Sequence, residues 1–255
     1  MRFGVLALGL AVLVVGGVLV SRRSESAPPV ATSSRIPVVV ELFSSEGCSS
    51  CPAADAYLDA LDRAQPIEGV TVIAFEEHVD YWDRLGWRDP FGSPTFSARQ
   101  QDYARVLADH QVFTPEIVFD GHQVMPGGDE DAARALLQRA AREPKARLTL
   151  QRDGARVTVD VTDAPASSAD DPAEAWLAIT ESGLATDVRA GENAGRHLVH
   201  APIVRRLRSL GRVSGGNLHV ETALDPDPTW KASALRTAVF VQLARTRRVI
   251  GAATL

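Results

Sequence analysis

Cysteine is almost absent from this 255-residue chain, which carries two, Cys48 and Cys51. A closed metal site made of four cysteines from one chain is therefore excluded, and the fold has to stand without a framework of disulfides. Positive charge is not in excess either. The 27 Lys and Arg residues face 32 Asp and Glu, for a formal net charge of -5 and a pI near 5.7. That balance gives no electrostatic reason to expect a nucleic acid or an anionic membrane surface as partner. Internal repeats are missing. What remains is ordinary globular composition, 45% hydrophobic and 23% charged, in a chain long enough for one large or two small domains.

The amino terminus differs in kind. Phe3 to Val20 holds no charged or strongly polar side chain, with Arg2 before it and Arg22 and Arg23 after. Such a run is a signal peptide or a membrane anchor. It approaches the lower limit for crossing about 30 Å of hydrocarbon and exceeds the roughly 7 to 15 apolar residues of a usual signal core, so residues 1–20 are read with a preference for the anchor. Residues 21–35 are rich in Ser, Pro and charge and read as a flexible tether. Either reading puts the remainder outside the cytoplasm, where a disulfide persists and where the membrane is met only through residues 3–20.

From Ile36 the apolar pattern becomes regular. Pro37 to Phe43 predicts a strand, interrupted in polarity by Glu41. Ala54, Tyr57, Leu58 and Leu61 recur at helical spacing after the cysteines, and Val70 to Phe75 predicts a second strand. An aromatic loop, His78 to Phe91, precedes a helix announced by Ser93 and Pro94 and running to about His110. Glu116 to Phe119 and His122 to Met125 flank an Asp120-Gly121 turn and predict a hairpin. A last helix follows, acidic at Asp129 to Asp131 and basic at Arg139 and Arg142, in accord with the helix dipole. Past Pro144 the period becomes two. Leu148 with Leu150, then Arg156 to Val161, Trp176 to Thr180, Leu218 to Leu224, Ala238 to Leu243 and Val249 to Ala252 predict strands. The expected organisation is an α/β domain over 36–143, with a mixed sheet and flanking helices, and a mostly antiparallel, β-sandwich-like domain over 144–255.

Cys48-Ser49-Ser50-Cys51-Pro52 lies between a strand end and a helix start. Unpaired N–H groups at the start of a helix favour the thiolate form of a cysteine placed there, and thiolate is the nucleophile. Dithiol/disulfide exchange would follow, with Cys48 as the exposed attacking sulfur and Cys51 as the buried sulfur that resolves the mixed disulfide. Two other readings stay open. One is an inert clip across a tiny loop, which removes little chain entropy. The other is metal binding by Cys48, Cys51 and His78, a set suited to copper(I) or zinc, with Asp80 orienting the histidine. Glu46 sets a negative charge near the cysteines, while Ser49 and Ser50 offer them hydroxyls.

The order strand, Cys-x-x-Cys helix, strand, helix, X-Pro, hairpin, helix resembles thioredoxin. The resemblance implies that Pro115 is a cis-proline beside the cysteine pair and that Thr114 lies next to the sulfurs, on an edge that receives an extended peptide. It also implies that Glu41 is a buried acid relaying protons to Cys51. Glu41-Leu42-Phe43, Gly47 to Pro52, His78 to Asp83, Leu85-Gly86-Trp87, Asp89-Pro90-Phe91 and Thr114-Pro115, with Asn193, Gly195, Arg196, Leu198 and His200 further on, further resemble the bacterial, exported, thioredoxin-like domain of unknown function 1223. That resemblance names a family without naming a reaction.

Tyr81, Trp82, Trp87 and Phe91 read as a satellite core or as a wall of a groove over Cys48. Asn193, Arg196, His197 and His200 read as turn and strand-edge residues, with a ligand patch as the sharper alternative. The combined expectation is an extracytoplasmic thiol-disulfide oxidoreductase without a resident cofactor, acting on protein or small-molecule thiols and disulfides outside the cytoplasm. The alternative is a copper- or zinc-binding module.

Overall fold

The computed structural model describes residues 35–107 and 110–255. The expected signal or anchor segment and almost all of the tether lie outside the described residues. Among the described residues, no helix is long and apolar enough to cross a membrane.

Strand β1 (Ile36–Ser44) is buried on both faces over most of its length, which is why its sequence reads as a continuous apolar run rather than an alternating one. Its register still sorts the side chains. Val38, Val40 and Leu42 pack with Ala54, Leu58 and Leu61 of helix α1 (Cys51–Ala64) and with Ala133 and Leu137 of helix α3 (Glu130–Ala140). Val39 and Phe43 point to the opposite face, where Phe96 and Tyr103 of helix α2 (Pro94–Leu107) lie. Helices thus cover both faces. Strand β2 (Val70–His78) pairs with β1 in parallel, and β3 (Glu116–Phe119) pairs with it antiparallel, followed by β4 (Gln123–Pro126) in the expected hairpin. Asp129 caps α3, its side chain accepting from the Ala132 N–H at 2.9 Å.

The second half supplies β5 (Arg147–Asp153), β6 (Arg156–Thr162), β7 (Ala173–Glu181), β8 (Ala185–Asp187), β9 (His197–Val199), β10 (Ile203–Arg212), β11 (Leu218–Ala223), β12 (Leu235–Leu243) and β13 (Val249–Thr254). One eight-stranded sheet runs β13-β12-β7-β10-β2-β1-β3-β4, alongside a three-stranded sheet β11-β6-β5 and the small ribbon β8-β9. Leu148, Val157, Val159 and Val161 pack against Leu177, Ile179, Val239 and Val241, so the three-stranded sheet lies face to face on the β7-β12 part of the large one.

The division expected at 143/144 does not separate two bodies. Beyond the shared sheet, residues on both sides of it fill one apolar cluster, with Val39, Ile73 and Phe75 packed against Ala178, Val204 and Phe240. A second junction forms where the Val249 N–H donates to the Asp120 carbonyl at 2.7 Å. At the adjacent Gly121, φ is 70° and a Cβ would stand 1.9 Å from the Arg247 carbonyl oxygen, so no other residue fits.

Strand β10 was missed by the apolar pattern, and it is the strand that joins the halves, pairing with β7 and, at Ile203 and Glu76, with β2. Its Arg205, Arg206 and Arg208 hide the strand periodicity. In the fold, Arg205 and Arg206 lie over the Trp230 ring, and Arg205 also pairs with Glu181 at 2.8 Å.

Candidate functional site

Cys48 and Cys51 form a disulfide at the start of α1. Pro52 opens the helix without needing a hydrogen-bond acceptor for its nitrogen, so the apolar spacing of α1 begins immediately after the pair. The Thr114–Pro115 peptide is cis, and the Thr114 carbonyl oxygen lies 3.7 Å from Cys48 Sγ, with Ser50 Oγ at 3.4 Å. Cys48, Cys51, Thr114 and Pro115 are thus brought together from the loop after β1, the first residue of α1 and the segment just before β3.

Both cysteines are buried, Cys48 at 1% and Cys51 at 0% exposure, although Ser49 and Ser50 between them are exposed. The expected contrast of an exposed Cys48 and a buried Cys51 is absent because other elements close over the loop. Trp82 packs beside Gly47 and donates from Nε1 to Thr114 Oγ1 at 2.8 Å. From the second half, Asn193 donates Nδ2 to the carbonyls of Glu46 at 2.8 Å and Cys48 at 2.9 Å, while Ser49 N–H donates to Glu192 Oε2 at 2.9 Å. Arg196 in turn donates to Asn193 Oδ1 at 2.8 Å. Asn193 and Arg196 therefore belong to the site, whereas His197 pairs at the surface with Asp187.

A buried ionic cluster accompanies the disulfide. His78, the last residue of β2, is bonded through Nδ1 to Asp89 Oδ2 at 2.7 Å and through Nε2 to Glu76 Oε1 at 2.6 Å. His200 is bonded through Nδ1 to the same Glu76 oxygen and through Nε2 to Glu46 Oε1, both at 3.1 Å. Glu46 also accepts from Trp87 Nε1 at 2.7 Å, and its own N–H donates to Asp89 Oδ2 at 2.8 Å. Phe91 sets its ring edge-on to both histidines, with centroids 5.6 and 5.4 Å away. The aromatic loop thus serves the satellite core, where Tyr81 and Trp82 pack against Phe43, Val79 and Tyr103, and the site as well.

Burial opposes the charged form of each imidazole, but acids outweigh it. Asp89 and Glu76 hold His78 well above its ordinary value, and hydrogen bonds to Glu46 and Glu76 hold His200 at about 9. The same pairings keep Glu76 and Asp89 lowered in spite of burial. Asp55, one helical turn after Cys51 and on the same face of α1, goes the other way. Burial and the charge of Glu76 raise it well above the carboxylate range, and Ser44 Oγ donates to it at 2.6 Å.

Two expectations are corrected by this geometry. Glu41 faces α2, across the sheet from α1, because residues alternate along β1. It accepts from Arg99 Nε at 2.6 Å and from Tyr103 Oη at 2.5 Å in a separate buried cluster that includes Glu77 and Gln242. On the Cys51 face of α1 the buried acid is Asp55, which helical spacing from Cys51 could have indicated. His78 does not gather with the cysteines as a ligand set either. Its two nitrogens are taken by Glu76 and Asp89, and Asp80 bonds to Ser97 instead. Among the described residues, the side chains that converge as possible metal ligands are Glu76, His78 and His200.

Residues 39–242 match the family described as Protein of unknown function (DUF1223). The chain belongs to the DUF1223 family. This DUF1223 chain is similar to a protein of Agrobacterium tumefaciens of known crystal structure, with 25% identity and a TM-score of 0.71, over 88% of this chain and 96% of that one. It is also similar to HBP35 of Porphyromonas gingivalis, with 15% identity and a TM-score of 0.62, over 88% of this chain and 76% of that one, a likeness of fold. No curated protein matches it.

Proposed function

We propose that this chain is an extracytoplasmic, thioredoxin-like thiol-disulfide oxidoreductase acting on protein or small-molecule thiols and disulfides. The observation that carries the reading is the placement of the Cys48–Cys51 disulfide at the first turn of α1, with Cys48 Sγ against the Thr114 carbonyl and Asp55 on the Cys51 face of the helix. A clip closing so short a loop removes little chain entropy, and it would gain nothing from a protonated acid one turn away.

The exchange runs as follows. A partner thiolate attacks Cys48 Sγ, a sulfur–sulfur bond forms between partner and Cys48, and the bond to Cys51 breaks. Cys51 leaves as a buried thiolate, which is costly, and the proton held by Asp55 neutralises it. A second partner thiolate then attacks the partner sulfur of the mixed disulfide and releases Cys48 as thiolate. Two electrons pass from the partner to the chain, and the reverse sequence reduces a partner disulfide. Access to Cys48 requires the cover made by Trp82, Glu192 and Asn193 to move.

The test is replacement of Cys51. Cys51→Ala removes the sulfur that resolves the mixed disulfide when the chain reduces a partner disulfide, so Cys48 should accumulate covalent partners visible on non-reducing electrophoresis of the protein recovered from its host. The unmodified protein should titrate reversibly against glutathione. A folded Cys51→Ala protein that captures nothing, together with a disulfide that does not equilibrate with glutathione, would leave the pair as a clip.

A further inference from the structure

We infer that Glu76, His78 and His200 form a buried binding site for one divalent transition-metal ion of the zinc type, separate from the cysteines. Candidate ligand atoms of the three side chains lie within 4.8 Å of one another, and two imidazoles with one carboxylate are a donor set that suits zinc and its neighbours. The second carboxylate oxygen of Glu76 is buried and has no hydrogen-bond partner, a deficit that a metal bond would remove.

The surroundings support each ligand as a metal site requires. A ligating histidine normally bonds its distal nitrogen to a carboxylate, which fixes the ring. His78 does so through Nδ1 to Asp89 at 2.7 Å, leaving Nε2 toward Glu76. His200 does so through Nε2 to Glu46 at 3.1 Å, leaving Nδ1 toward Glu76. Those outer carboxylates are themselves held, Asp89 by the N–H groups of Glu46 and Phe91, and Glu46 by Trp87. The inner distances of 2.6 and 3.1 Å are hydrogen-bond lengths. Tetrahedral bonds of about 2.0–2.1 Å separate ligand atoms by roughly 3.3 Å, so each ring nitrogen moves from Glu76 Oε1 by less than about 1 Å when the ion replaces the shared protons. A cleft of about 320 Å³ is lined by Phe91, Ser93 and Ile203, and the Phe91 ring that packs edge-on to both histidines is one of its walls.

The experiment uses the full-length chain with its disulfide intact, freed of metal by chelator and titrated with Zn(II) and, separately, Co(II). One ion per chain is expected, with visible d–d absorption for Co(II). X-ray absorption of the Zn(II) form should show imidazole and oxygen ligands and no sulfur. Asp89→Asn should weaken binding by about 10- to 100-fold and His200→Gln by at least as much, while the Cys48→Ser, Cys51→Ser double variant should bind as the parent does. Sulfur in the coordination shell, or no more metal than a Glu76→Gln, His200→Gln double variant takes up, would overturn the assignment. The absorption measurement needs no variant to fold. Because no cysteine is a ligand, a failed redox titration leaves this outcome untouched, and the two readings fail separately.

Discussion

Asp55 and Cys51 sit four residues apart on one face of α1, and their chemistry is linked if the exchange reading holds. A carboxyl held protonated by burial and by Glu76 can neutralise the departing thiolate. Asp55→Asn should therefore slow single-turnover exchange with glutathione by roughly 10-fold or more and flatten its pH profile, in the range of one general acid. An unchanged profile would remove Asp55 from the reaction. Two other residues govern stability. Burial and the Glu41 charge raise Glu77 to about 8 against the opposing pull of Arg99 and Arg247, and His200 stands at about 9. Unfolded, these groups would lose their protons near 4.5 and 6.5. Their contribution is complete below those unfolded values and is lost as pH rises through about 8 and about 9. The urea midpoint should fall between about pH 4.5 and pH 9, His200 accounting for up to about 3 kcal/mol of the fall above pH 6.5 at 1.36 kcal/mol per pKa unit. Glu77→Gln should make the decline shallower, and a midpoint that rises with pH would contradict the assignment.

At the scale of elements, the loop between α1 and β1 is shaped from outside itself. Its carbonyls at Glu46 and Cys48 are satisfied by Asn193, from the turn between β8 and β9. Asn193→Ala leaves the buried Glu46 carbonyl without its donor and takes one of two donors from the Cys48 carbonyl, which keeps the Cys51 N–H at 3.2 Å. The expected cost is about 1–3 kcal/mol in denaturant unfolding, accompanied by faster reduction of the disulfide by dithiothreitol as the loop loosens. A variant with parental stability and parental reduction rate would show that the contact does not hold the loop. Close packing makes a further element sensitive. At Gly251 in β13, a Cβ would meet Ala146 Cβ at 2.8 Å and the Ala146 carbonyl oxygen at 3.0 Å. Gly251→Ala should cost about 1–3 kcal/mol, as overpacking does in a filled core.

For the whole molecule, the cysteine half cannot be lifted out intact. Removing residues 144–255 would strip β10 from the edge of β2, uncover Ile73 and Phe75, and delete both His200 and Asn193 from the site. Glu46 and Glu76 would lose the imidazole that bridges them. The fragment 36–143 should accordingly show no cooperative unfolding by circular dichroism and should be digested rapidly by protease, while the full chain resists. A cooperative, protease-resistant fragment would show that the shared sheet is dispensable.

Local signals in the sequence determined most of the elements and their order. Apolar periodicity marked β1, α1, β2 and the later strands other than β8, β9 and β10. Pro94 and the acidic first turn of α3 marked helix starts, and Asp120-Gly121 marked the hairpin turn. The cysteine pair and its neighbours Thr114 and Pro115 were legible as well, since a short motif carries its own chemistry and the order of elements carries its surroundings. What tertiary structure alone decided is which side chains share a face and which distant segments meet. Glu41 lies across the sheet from α1 because strand residues alternate, and a one-residue difference in register would have put it beside the cysteines. His200 and Asn193 reach the cysteine loop from about 150 residues away, at a sequence separation over which no local pattern acts. Strand β10 stayed hidden because its arginines read as surface, yet their aliphatic stems and ring contacts let them line a central strand. Single residue types offered the chemistry, and packing of both halves on one sheet assembled it.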